Sequence, residues 1–99
     1  MSRRDIEFEW SHLKAAINLK KHRVSFEEAE TAFEDVNAFL QDDESHSDEE
    51  PRQVLLGYSN RNRLLVVSFV MRSYNRIRII TARPATRKER GFYEETPRF

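Results

Sequence analysis

The stretch Arg76-Ile77-Arg78-Ile79-Ile80-Thr81-Ala82-Arg83 decides the fold. Ile77 and Ile79 alternate with Arg76 and Arg78, so a strand places the isoleucines on one face and the arginines on the other. Upstream, Leu64 to Met71 is nearly continuous in apolar residues. It is expected to be a central strand covered on both faces. Arg52 to Tyr58 reads as a third strand. The connections around Asn60-Arg61-Asn62 and Arg72-Ser73-Tyr74-Asn75 are short enough for antiparallel hairpins. Asn62 and Asn75 accept positive φ where no glycine stands.

The first half surrounds this meander with helices. Ile6, Phe8 and Trp10 alternate with glutamates and predict a short half-buried strand. Ser11 through His22 predicts a helix with Leu13, Ala16, Ile17 and the Lys20 stem as its inner stripe. Ser25 and Glu28 form a capping box for a second helix that ends near Phe33 to Asp35, with Val24 and Ala29 as its hydrophobic staple. Phe26, Ala29, Ala32 and Phe33 make its buried stripe. Asn37 to Leu40 is a short apolar piece compatible with a strand. Residues 42–51 read as a mobile acidic loop. After Pro84, Thr86 and Glu89 form a second capping box for a last helix carrying Arg87, Lys88, Arg90 and Tyr93. The fold class is α+β in one domain over residues 1–99.

The formal charge sums to zero, but its distribution is polarised. Residues 1–50 carry 6 Lys+Arg against 14 Asp+Glu, and residues 51–99 carry 11 against 3. Such asymmetry points to nucleic acid or an acidic partner. No apolar run is long enough to span a bilayer, and the start shows no signal-peptide pattern. A cytoplasmic location follows as the default. There is no cysteine, and two glycines leave no glycine-rich phosphate loop, so no cofactor is expected. His12, His22 and His46 lack paired ligand spacing, and no metal site is expected.

The arginines are the stronger signal. Arg76 and Arg78 share a strand face, Arg83 ends that strand, and Arg87 and Arg90 lie three apart on the last helix. Arg61, Arg63 and Arg72 mark hairpin ends. Guanidinium groups match phosphate oxygens bidentately. The set reads as a phosphate-binding surface, with Arg78 and Arg83 as first choices. The competing reading pairs these arginines with Glu27, Glu28, Glu30, Glu34 and Asp35 of the same chain. Lys20-Lys21-His22-Arg23 ends the first helix, where cations suit the helix dipole; there, His22 is able to move protons near neutral pH. Arg23 stands where a helix end favours glycine, and a left-handed residue there costs about 1–2 kcal/mol. Among Trp10, Tyr58, Tyr74 and Tyr93, Tyr93 is the first choice for stacking on a base.

In order and spacing, these pieces resemble the BrnT family of bacterial toxins: Phe8-Glu9-Trp10, Asn18-Leu19-Lys20-Lys21-His22, Val24-Ser25-Phe26-Glu27-Glu28-Ala29, Phe33-Glu34-Asp35, Glu50 and Arg52 ahead of Gly57, Arg63-Leu64-Leu65-Val66-Val67, Arg78-Ile79-Ile80-Thr81-Ala82-Arg83, and Ala85-Thr86, Glu89-Arg90 and Tyr93. Ser11, Arg23, Asn62 and Thr81 depart from the usual aspartate, glycine, glycine and serine of that family. The resemblance implies a RelE-like domain with a curved antiparallel sheet, two N-terminal helices and one C-terminal helix. It implies an endoribonuclease toxin that arrests growth, is neutralised by a BrnA antitoxin, and joins it in a DNA-binding repressor complex. On this reading Arg78 and Arg83 hold the scissile phosphate, Lys21 or His22 transfers protons, and Arg63, Arg76, Arg87, Arg90 and Tyr93 position RNA. RNA supplies its own 2′-hydroxyl nucleophile, so no metal is required. The alternative is a non-catalytic module that binds nucleic acid or protein through the same face.

Overall fold

Three long strands form the middle of the sheet: β3 (Arg52–Tyr58), β4 (Leu64–Ser73) and β5 (Arg76–Pro84). They pair antiparallel, as their short connections require. The computed structural model describes residues 5–43 and 50–97. The expected mobile loop at 42–51 falls mostly outside these residues. Around the meander stand β1 (Glu7–Glu9), α1 (His12–His22), α2 (Phe26–Thr31) with a 3-10 turn over Ala32–Glu34, β2 (Phe39–Asp43) and α3 (Arg87–Glu95). The sheet order is β1-β5-β4-β3-β2.

The sheet is mixed rather than wholly antiparallel, because β1 pairs parallel with β5 at Glu7↔Arg76 to Glu9↔Arg78. The long crossover through α1, α2 and β2–β4 permits that parallel pairing.

One face of the sheet carries the main core. Leu55, Leu65, Val67, Phe69, Ile77, Ile79 and Ala82 pack against Val24, Phe26, Ala29 and Ala32. Edge-to-face contacts run from Phe8 to Phe33 and from Phe33 to Phe69. Trp10 packs on Phe26 in the same layer rather than facing solvent as a stacking platform. The 3-10 turn crosses β3 so closely that a Cβ on Gly57 would meet the Ala32 carbonyl oxygen at 3.0 Å. Opposite, Leu56, Leu64 and Tyr93 form a smaller cluster that seats α3. Leu64 to Val70 is therefore apolar at every position except Ser68, because both faces of β4 are covered at most of its positions.

The expected inner stripe of α1 is corrected by the structure. Leu13 and Ile17 are 71% and 55% exposed, whereas Asn18 is buried. The reason is placement. β1 covers the outer edge of β5 only as far as Arg78, and α1 lies along the remainder of that edge rather than on a sheet face. An edge presents backbone N–H and C=O groups, so the residue facing it must be polar. Asn75 is also corrected, since among the described residues the positive-φ residues other than glycine are Arg23 and Asn62.

Candidate active site

A register break on β5 organises the open face. Ser68 pairs with Thr81 and Phe69 with Ile79, so Ile80 is an extra residue in the ladder. A bulge of this kind re-aims neighbouring side chains and is frequent beside active sites. Arg78 lies opposite Val70, and Arg83 opposite Val66. Cross-strand partners share a face, so both arginines stand on the side away from Val67 and Phe69. They lie five steps apart along the strand, roughly 16 Å.

Between these arginines lies a cleft of about 330 Å³. Its floor includes Ile80 and Thr81 at the bulge. Lys14, Lys21 and His22 come from α1 on one side, and Arg52 comes from β3 on the other. The helix is fixed there by Asn18, whose amide bonds Ala82 N and O and also donates to Val24 O at 3.0 Å. Lys21 and His22 thus reach the β5 bulge from some 60 positions earlier in the sequence. A larger hollow of about 390 Å³ lies between α3 and β2–β4. It is lined mainly by Phe39, Val54, Leu56, Val66 and Phe92, and its carboxylate, Glu89, is ion-paired, so the smaller, cationic cleft is the candidate site.

Most of the arginines singled out from the sequence are engaged within the chain and do not line this cleft. Arg83 bonds Glu89 through both terminal nitrogens at 2.9 Å. Glu89 also accepts from Thr86 N at 2.8 Å, closing the capping box of α3. Its carboxyl is held down to about 2, chiefly by Arg83, with burial opposing. Arg78 bonds Glu9 at 3.1 Å, and Arg76 bonds Glu7 and Glu9 at 3.0 and 3.3 Å. Partial burial pushes the Glu9 carboxyl up, but Arg78 and Arg76 outweigh it and hold it below its ordinary value. Internal pairing therefore occurs, with Glu7, Glu9 and Glu89 as the carboxylates that hold Arg76, Arg78 and Arg83.

Arg63 lies away from the cleft. It grips the buried Glu28 at 3.0 and 2.5 Å and donates to the Arg23 carbonyl at 2.9 Å. Ser59 also donates to Glu28, at 2.7 Å. This lock joins the β3–β4 turn to the start of α2 and to the left-handed end of α1. Arg87 and Arg90 are exposed on α3, and Arg90 donates to the Tyr58 hydroxyl at 3.2 Å. Tyr93 is buried, edge-on to Tyr58 and Phe39, with its hydroxyl donating to Asp35 at 2.6 Å. Packed in this way it anchors α3, and its face is not open to a base. Sequence reasoning gives neither Lys14 nor Arg52 a site role, although Arg52 is among the residues that carry the resemblance; their convergence across the sheet marks them.

The fold and this face define a small α+β domain that presents cations around a bulged strand. The model of the family described as "Ribonuclease toxin, BrnT, of type II toxin-antitoxin system" matches residues 10–89. The chain belongs to the BrnT ribonuclease toxin family. The crystal structure of the Brucella abortus ribonuclease toxin BrnT, at 1.1 Å, superposes with a TM-score of 0.64 at 19% identity. The match covers 83% of this chain and 99% of that one. At that identity it supports the fold. No curated protein matches the chain. Membership of a type II toxin–antitoxin family implies an antitoxin partner. No helix among the described residues is long and apolar enough to cross a membrane.

Proposed function

We propose that this chain is a metal-independent endoribonuclease toxin that cuts RNA on the open sheet face and is neutralised by a BrnA-like antitoxin. The observation that carries the reading is the meeting of Lys21 and His22 with the β5 bulge, midway between Arg78 and Arg83. In-line attack of a 2′-oxygen on the adjacent phosphorus forms a 2′,3′-cyclic phosphate and expels the 5′-oxygen. The 2′-hydroxyl must lose a proton and the leaving oxygen must gain one. His22 is suited to the first transfer and Lys21 to the second. Cations on both walls offset the charge that develops on the phosphorane oxygens. Arg78 and Arg83 flank this centre, and Arg87 and Arg90 extend the cationic surface along α3. The antitoxin blocks the face, and the resulting complex represses its own operon.

Expression of the chain alone in bacteria tests the reading. Wild type arrests growth and shortens transcripts, and Arg83→Ala relieves both. A folded, soluble wild type that does neither removes the proposal. A second reading has its own support: Arg63, Arg76, Arg78 and Arg83 are all ion-paired within the chain. A non-catalytic module using the same face would show salt-sensitive RNA binding with no cleavage products.

A further inference from the structure

Cations on the open face fall into two groups. Arg76, Arg78 and Arg83 each have a carboxylate within 3.3 Å. Among the described residues, Lys14, Lys21, His22 and Arg52 form no ion pair, although Asp43 is the cross-strand partner of Arg52 in register. These four line one cleft. A phosphate that binds Arg83 has to displace a two-pronged carboxylate which also caps α3. A phosphate that enters the cleft displaces water.

We infer that Arg52, assisted by Lys14, is the side chain that grips the RNA phosphate in the cleft, and that the cleft accepts one nucleotide of a single strand. The inference rests on the ribonuclease reading and adds to it the residue that holds the substrate. Arg52 is the arginine of the cleft lining, and it faces α1 across β4 and β5. At the level of Thr81, β4 contributes Ser68, opposite both Val54 and Thr81, and a serine side chain is short. A phosphate seated there has a planar guanidinium on one side and the α1 cations on the other. Bidentate recognition suits the guanidinium, whereas the lysines act as point charges. Ile17 and Ile80 add apolar surface to the lining, against which a ribose or base can rest. The volume lies near the lower end of small-ligand sites, which suits a splayed single-stranded unit better than a duplex. Arg78 and Arg83, clamped by Glu9 and Glu89, then act as positioning residues for the flanking chain.

The test uses the full purified chain, a fluorescent single-stranded RNA and its duplex form. Cleavage is followed by gel, and binding is followed by anisotropy over a salt series in a His22→Ala background. Arg52→Ala is expected to lower kcat/KM by about 10²–10³-fold, the usual loss for one transition-state donor. Arg52→Lys recovers part of the binding but little of the cleavage, because charge returns without the fork. Lys14→Ala, at an exposed helix position, weakens binding and lowers the salt slope by about 0.7. Thermal melts of the variants match wild type, since neither side chain holds an ion pair. Wild-type cleavage with Arg52→Ala and Lys14→Ala both within about threefold of it overturns this inference and leaves the ribonuclease reading standing. Equal cleavage of the duplex overturns the single-strand part. A wild type that neither cleaves nor binds RNA overturns both readings.

Discussion

Asn18 closes the open edge of β5 by bonding both backbone groups of Ala82. Its Nδ2 donates to Ala82 O at 2.8 Å and its Oδ1 accepts from Ala82 N at 3.1 Å. A carboxamide reproduces the pattern of one residue of a neighbouring strand, so α1 takes over where β1 stops. The same bond fixes how far Lys21 and His22 stand from the bulge.

Asn18→Ala leaves a buried donor and acceptor at Ala82 without partners, and it frees the Val24 carbonyl as well. At about 1–3 kcal/mol for each stranded group, the expected loss is roughly 2–4 kcal/mol once some rehydration occurs. Asn18→Asp should fare little better, because it keeps the acceptor and loses the donor. Urea unfolding measures both. A loss near zero for Asn18→Ala would show that water replaces the amide at this edge.

Arg23 ends α1 with φ 59 and ψ 32. Its amide donates to Leu19 O at 2.9 Å, and its carbonyl accepts from Arg63 at 2.9 Å, so the strained residue is held from both sides. Arg23→Gly keeps both backbone bonds and removes the Cβ conflict. Stability should rise by up to about 1 kcal/mol, less than the full left-handed penalty because glycine also loosens the unfolded chain. In a domain of this size that is about 4–8 °C in Tm.

Glu28 is buried and held below its ordinary carboxyl value, first by Arg63, with desolvation opposing and Ser59 assisting. Glu28→Gln should cost about 2–4 kcal/mol, because it strips the charge from a pair that is mostly buried on one side. Arg63→Lys should recover little, since one ammonium cannot make both bonds to Glu28 and the bond to Arg23. Denaturation of the two single variants and the double variant separates the pair from its surroundings.

Glu89 supplies an acid-side signature. Its folded value near 2 lies below the ordinary 4.5. Its contribution to stability is therefore complete above pH 4.5 and disappears as the pH falls towards 2. Glu28 and Glu9 shift in the same direction. Urea midpoints should fall steadily over this window in wild type, and Glu89→Gln should flatten part of the fall. An unchanged slope in Glu89→Gln would show that the fork with Arg83 adds nothing to stability.

Much of the fold is legible along the chain, because local chemistry dictates it. Thr86 and Glu89 form the capping box their spacing predicts, and Ser25 caps α2. Ile77 and Ile79 are buried while Arg76 and Arg78 face away. What sequence does not carry is the long-range placement. Leu13, Ala16 and Ile17 form an acceptable helix stripe, yet α1 docks through Ala15, Asn18 and His22, since it meets an edge and not a face. A polar residue three positions from Ala15 and four from His22 was the available hint. The arginines were visible as a set, but their partners were not, because Glu9 pairs across a parallel strand contact some 69 positions away. Neither the resemblance at Arg52 nor any local pattern at Lys14 says that the two side chains share a cleft. They meet only because β3 and α1 lie on opposite sides of β4 and β5.

The central claim is that this face cuts RNA with the substrate's own 2′-oxygen, and one measurement addresses it. The purified chain is incubated in EDTA with a single-stranded RNA, and the product ends are identified. A second RNA carries one 2′-deoxy sugar at the cleaved position. Cleavage in EDTA is expected, with a 2′,3′-cyclic phosphate, a 5′-hydroxyl end and an intact bond at the deoxy position. Cleavage that persists at the deoxy sugar, or that requires added divalent metal, would contradict it.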